Sequence, residues 1–283
     1  MDVTTIVVST AILAGTGLVF GILIALANVK LKVWEDPRID GVAGLLPGVN
    51  CGACGQAGCR AFAEAVVAGK IPPATCTVMG AEDIKDVAAY LGVAAGEVAK
   101  RVARLLCAGG TDVAIQQAQY RGLETCKAAA AVAGGGKGCA WGCLGLDDCV
   151  EACDFDAIVM SEHRIPIVIP EKCTACGDCV EACPLDLFVI LPIEQKLIVQ
   201  CKNLLAGEEA EAVCKVACNA CARCVADAAP GLIQMVDNLA VIDYEKNELA
   251  SPEAIGRCPT GAIVWVEGQQ FAEALESVRS VTV

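Results

Sequence analysis

The stretch Cys173-Thr174-Ala175-Cys176-Gly177-Asp178-Cys179-Val180-Glu181-Ala182-Cys183-Pro184 decides how the rest of the chain is read. Its C-x2-C-x2-C-x3-C-P spacing is that of thiolates gathered around [4Fe–4S] clusters, with three sulfurs on one cluster and the fourth reaching across to another. A second run is therefore required. It stands upstream as Cys139-x3-Cys143-x5-Cys149-x3-Cys153, a looser version with Asp154 in the proline position. Crossing the two runs assigns Cys139, Cys143, Cys149 and Cys183 to one cluster, and Cys173, Cys176, Cys179 and Cys153 to the other.

Each run is followed by a short β-like tail, and DFDAIVM, PLDLFVI, PGLIQMV and PTGAIVW read as one unit repeated four times. Two ferredoxin-like modules follow, which makes the fold α+β. In the second module the third run holds Cys214, Cys218, Cys221 and Cys224, with Ala228 at the crossed position. The fourth keeps only Cys258-Pro259, and NELASPEAIGR replaces its other cysteines. A crossed pair that loses one whole cluster loses three ligands from one run and the fourth from the other, and this is the pattern seen. The surviving site is Cys218, Cys221, Cys224 and Cys258. Because Cys214-x3-Cys218-x5-Cys224 repeats the spacing of Cys139, Cys143 and Cys149, Cys214 is an alternative to Cys221.

Twenty cysteines in 283 residues is far above ordinary usage, and the chain is too long to be a small disulfide scaffold. Disulfides close long loops; thiols crowded into one short run suit a shared centre. Aromatic residues make up only 4%, so metal–thiolate bonds are expected to organise much of the interior. The net charge of −13 and the lack of a basic stripe exclude a nucleic-acid partner.

Val3 to Val29 carries no charge and exceeds the roughly 20 residues that cross a bilayer as a helix. With Asp2 before it and Lys30 and Lys32 after, the bulk of the chain is expected on the cytoplasmic side of the cell membrane. Ala25-Leu26-Ala27 resembles a signal-peptidase site, but a basic start is missing and the apolar run is too long, so a retained anchor is expected. Gly17 and Gly21 form a G-x3-G pair that fits a helix–helix contact or arises by chance.

Beyond the anchor, GVNCGACGQAGCRAF contains Cys51, Cys54 and Cys59, and Cys76 follows Pro72-Pro73. Gly52, Gly55 and Gly58 let backbone wrap closely around a metal centre. Tetrahedral zinc shares such spacings, so iron–sulfur and zinc both remain open here. Residues 82–105, with DVAAYL and VAKRVARLL, read as one or two helices. AAAAVAGGGKG lacks the Ser or Thr that a phosphate-binding P-loop needs after Gly-Lys. His163, the sole histidine, is expected at the surface.

The order of these features resembles the B subunit of the Rnf complex, a membrane ferredoxin:NAD oxidoreductase that moves sodium ions or protons. The resemblance rests on the anchor, VNCGACGQAGC with Cys76, YRGLETCKAAA, GCAWGCLGLDDCVEAC and CTACGDCVEACP. It implies [4Fe–4S] clusters in all the modules, reduced ferredoxin as donor, onward transfer to other Rnf subunits, and an electron-transfer role in a translocase without catalytic side chains of its own. The domains expected are an anchor at 1–29, a four-cysteine domain at 30–93, a helical linker at 94–134, a two-cluster module at 135–195, a degenerate module at 196–268 and a tail at 269–283. The assigned thiols make about four clusters at four thiolates each. Cys107, Cys126 and Cys201 have no assigned partners; buried free thiols and a further cluster are both open. A zinc scaffold and a corrinoid iron–sulfur methyl-transfer component are the rival readings.

Overall fold

The computed structural model describes residues 3–31, 35–97 and 99–281. Asp2 and Lys32, which carry part of the orientation argument, lie outside these residues. Helix α1 (Val3–Leu31) contains a stretch, Val7–Lys30, long and apolar enough to cross a membrane. At 1.5 Å per residue its 24 residues span about 36 Å, against a hydrocarbon core of about 30 Å. Its side chains face outward all round, as a lipid-facing helix requires.

The first cysteine domain is built from α2 (Pro37–Leu45), α3 (Cys59–Val67) and α4 (Ala81–Leu91). Asp36 caps α2 by accepting from the Arg38 N–H at 2.9 Å, and Pro37 needs no partner in the first turn. Val42, Phe62, Val66, Met79 and Val87 close its core, with Cys54, Cys59 and Cys76 packed against it.

The larger body is two modules of one plan. In the first, β1 (Arg101–Leu105) pairs antiparallel with β4 (Phe188–Pro192), and β2 (Ile158–Met160) forms a hairpin with β3 (Pro166–Val168). In the second, β5 (Leu197–Val199) pairs with β8 (Ile263–Trp265), and β6 (Ile233–Val236) with β7 (Leu239–Ile242). The four β-like tails of the sequence thus become β2, β4, β6 and β8. Short helices link them: α5 (Cys126–Ala131), α6 (Asp148–Glu151), α7 (Asp178–Ala182), α8 (Gly207–Val213) and α9 (Arg223–Asp227). A last helix, α10 (Ala272–Val281), seats Leu275 on Ile167 and Ile169.

One expectation is corrected. Within the segment read as a second helix, VAKRVARLL, Arg101–Leu105 form strand β1; Ala99, Lys100 and Leu106 flank it, and Val98 lies outside the described residues. Val102, Ala103, Arg104 and Leu105 are all buried, so the strand is covered on both faces and shows no alternation to distinguish it from a helix. Pairing decides the matter: β4 takes one edge, and on the other the Gln270 side chain exchanges two hydrogen bonds with the Leu105 backbone. β1 therefore opens the first module, and within 94–134 only α5 is α-helical among the described residues.

Candidate iron–sulfur centres

The cysteine loops owe their shape to residues of left-handed backbone. Asp147, Gly177 and Ala222 take positive φ immediately before α6, α7 and α9, and Ala175 and Ala220 do so inside the loops Cys173–Cys176 and Cys218–Cys221. Alternating backbone hand turns successive N–H groups to one side, which suits an anionic centre. Gly58 at φ 158° is nearly extended, and the Asn50 side chain accepts from the Cys59 N–H at 2.8 Å, holding that loop to the start of α3.

Three of the four expected groups gather as written. Cys51, Cys54, Cys59 and Cys76 line one cavity of about 360 Å³; Cys153, Cys173, Cys176 and Cys179 line another of about 320 Å³. Cys218, Cys221, Cys224 and Cys258 surround a third of about 340 Å³, and Cys214 lines a different one. Where a crossed cluster is missing from the second module, Ala228 packs in an apolar core with Tyr244, Ala254 and Ile255.

The fourth group is regrouped. Cys139 lies apart from Cys143, Cys149 and Cys183, and lines a cavity of about 300 Å³ with Cys107, Cys201 and Cys214. Its place beside Cys149 is taken by Cys126. Asp148 is the cause: its carboxylate accepts from the Cys126 N–H at 2.7 Å and the Lys127 N–H at 3.1 Å, which docks the start of α5 against α6. Burial raises the Cys126 and Cys149 thiols above the ordinary range; the charges of Cys143, Cys126, Cys179 and Cys183 add to this at Cys149, and those of Asp148 and Cys183 at Cys126. The Cys139 segment is drawn away by Gly138, whose N–H donates to the Ile115 carbonyl at 2.8 Å. Sequence reasoning left Cys107, Cys126 and Cys201 unassigned; the available signal was the doubled x3–x5 spacing, which makes Cys214 the counterpart of Cys139.

The surroundings fit iron–sulfur clusters. Among the described residues no Cys, His, Asp and Glu side chains converge closely enough to hold a single metal ion; the thiols stand around cavities, whereas tetrahedral zinc draws its sulfurs to about 2.3 Å from one point. Backbone N–H groups donate to sulfur, from Ala103 to Cys173 and from Leu187 to Cys183, both at 3.5 Å. A buried polar atom without a protein partner, Thr77 Oγ1, borders the first cavity. Burial pushes Cys143 and Cys179 up to about 12, so these thiols keep their protons until a metal displaces them into solvent. At Cys258 burial also raises the thiol, but N–H donors at Ile263, Thr260 and Ala262 outweigh it and favour the thiolate. His163 is exposed near Asp112 and Glu162, as expected.

Comparison with known proteins adds identity to this geometry. The FeS family model, for an Fe-S cluster, matches residues 46–78, and the 4Fe-4S dicluster domain matches 138–188. The chain is 43% identical over 255 residues to the B subunit of the ion-translocating oxidoreductase complex of Methanosarcina acetivorans, covering 90% of this chain and 96% of that one. It is 42% identical to the B subunit of the Na(+)-translocating ferredoxin:NAD(+) oxidoreductase complex of Acetobacterium woodii, over 91% of this chain and 77% of the relative. The proton-translocating counterpart of Clostridium ljungdahlii is 35% identical over 92% of each. Iron–sulfur chemistry therefore stands over the zinc and corrinoid readings, and the chain belongs to the family of B subunits of the ion-translocating, or Rnf, oxidoreductase complexes.

Proposed function

We propose that this chain accepts electrons from reduced ferredoxin on the cytoplasmic side of the membrane and relays them, one at a time, to other subunits of an ion-translocating ferredoxin:NAD oxidoreductase. The carriers are [4Fe–4S] clusters on Cys51, Cys54, Cys59 and Cys76; on Cys126, Cys143, Cys149 and Cys183; on Cys153, Cys173, Cys176 and Cys179; and on Cys218, Cys221, Cys224 and Cys258. The observation that carries this reading is the gathering of thiols in fours, three of the groups around cavities of similar size and the fourth within mutual electrostatic reach at Cys149. Helix α1 tethers the relay to its membrane partners. Mixing the full chain in detergent with reduced ferredoxin should bleach its visible absorption within the mixing time. A cluster-loaded sample that keeps its colour would remove ferredoxin as the donor.

The protein's part in such a relay is to set potentials through charge, burial and hydrogen bonds to sulfur. Arg104 has this position. It is 1% exposed, donates from Nη1 to the Gly268 carbonyl at 2.7 Å, and leaves Nε and Nη2 without a protein partner. Burial lowers its pKa, and the charge of Cys173 acts against that shift; a guanidinium stays protonated regardless. A fixed cation beside Cys173 stabilises the reduced, more negative cluster. Arg104→Met should therefore lower the potential of that centre by on the order of 80 mV, the size of a unit charge acting over several ångströms at an effective dielectric of about 20. Potentiometric EPR titration measures it, and an unchanged or raised potential would contradict the role.

A further inference from the structure

We propose that Cys107, Cys139, Cys201 and Cys214 hold a fifth [4Fe–4S] cluster, seated on the seam between the two ferredoxin-like modules. The inference rests on the iron–sulfur reading of the other four groups and extends it to the thiols left over. Together the five groups use all twenty cysteines of the chain.

The seam is built on a local two-fold repeat. Cys107 comes two residues after β1 and Cys201 two residues after β5. The residue between strand and cysteine is anchored the same way in each: Leu106 N–H donates to the Leu187 carbonyl at 2.8 Å and Gln200 N–H to the Ala262 carbonyl at 2.7 Å. Cys139 and Cys214 then lie at equal offsets before Cys143 and Cys218. Each module so contributes two thiols, and neither can complete the set alone. Backbone ties clamp the halves: Ala108 N–H to the Gln200 carbonyl, Ile115 N–H to the Val213 carbonyl and Lys215 N–H to the Val113 carbonyl. Gly109 sits over the sulfurs, where a Cβ would come within 3.2 Å of Cys214 Sγ and 3.6 Å of Cys107 Sγ.

The lining has the chemistry of a cluster site. Cys107 Sγ accepts from the N–H groups of Gly109 at 3.4 Å and Cys143 at 3.3 Å; Cys201 Sγ accepts from those of Asn203 and Cys218, both at 3.3 Å. Asn203 is 1% exposed, and its Nδ2 has no protein partner although it borders the cavity. Lys137 brings a cation to the same wall, held by the Gly109 and Cys143 carbonyls. Four thiolates need that positive charge and those donors; a merely apolar seam needs neither. Cys143 and Cys218 each belong to a neighbouring four-thiol group. Their N–H bonds to Cys107 and Cys201 therefore link the seam centre to one centre on either side, a route for an electron between modules.

Native mass spectrometry of the full chain, purified without oxygen in detergent, with iron and acid-labile sulfide assays, tests this. About twenty irons per chain are expected for five clusters, against about sixteen for four. The double variant Cys107→Ala/Cys201→Ala should lose about four irons, no more than either single variant, because both thiols serve one site. A wild-type ceiling of sixteen would overturn the proposal while leaving the four other centres standing, and so would a double variant that keeps the full count. A count well below sixteen in the wild type would instead fail the reading beneath it. Should the variant not fold, the wild-type ceiling decides alone.

Discussion

Cys126→Ala/Cys183→Ala is expected to lose about four irons, and Cys139→Ala/Cys183→Ala about eight, since the first pair shares a centre and the second does not. The crossed assignment read from spacing gives the opposite result for Cys139 and Cys183: one shared cluster and one loss. The structural reason is the Asp148 carboxylate, which holds the Cys126 and Lys127 N–H groups and so fixes Cys126 beside Cys149. Asp148→Asn keeps one acceptor and is expected to weaken loading of that centre alone, whereas Asp148→Ala leaves two N–H groups unsatisfied at the start of α5. A single Cys126→Ala variant that keeps the full iron count, beside a Cys139→Ala/Cys183→Ala loss of about four, would restore the crossed scheme and remove Cys126 from the ligand set.

This contrast marks what could be seen in the sequence. Cys173, Cys176 and Cys179 lie together as read because their loops are too short for the thiols to stray, and the β2–β3 hairpin folds the chain back so that Cys153 joins them. The same holds for Cys51, Cys54 and Cys59, and the Pro72-Pro73 turn brings Cys76 to them. The β-like tails became β2, β4, β6 and β8, because runs such as IVM and FVI are strongly β-forming and sit directly behind each cysteine run. At Ala228 and 247–257, where the sequence lacks cysteines, the structure has apolar packing of Ala228, Tyr244, Ala254 and Ile255.

The remainder depended on long-range pairing. Cys107 and Cys201 are separated from their partners by segments with no cluster spacing, and only the β1–β4 and β5–β8 ladders bring them to one seam. Strand β1 is hidden for the same reason: its residues are buried on both faces, and the Arg104 in its middle reads as a surface residue until Gly268 is seen to receive it. Gln270, near the end of the chain, supplies the other edge of that strand. No local pattern announces a contact made across so much sequence.

Stripping the iron under anaerobic conditions with chelator and mild oxidant is expected to abolish the cooperative thermal transition of the larger body, or to lower it by roughly 15 °C or more. The cores explain the size of the effect. Cys107, Cys143, Cys149 and Cys179 sit inside the apolar core of the first module, and Cys201, Cys214 and Cys224 inside that of the second. The thiols of the seam group stand apart around space that a bound centre fills, so its removal costs packing contacts as well as metal–sulfur bonds. With so few aromatic side chains in the interior, metal–thiolate bonding contributes directly to the free energy of folding. Circular dichroism melts of loaded and stripped full chain, compared at equal concentration and under reducing conditions, measure the difference. If the stripped chain melted at the same temperature with the same steepness, its core would have to be complete without the clusters, and the cavities would have to close over without loss.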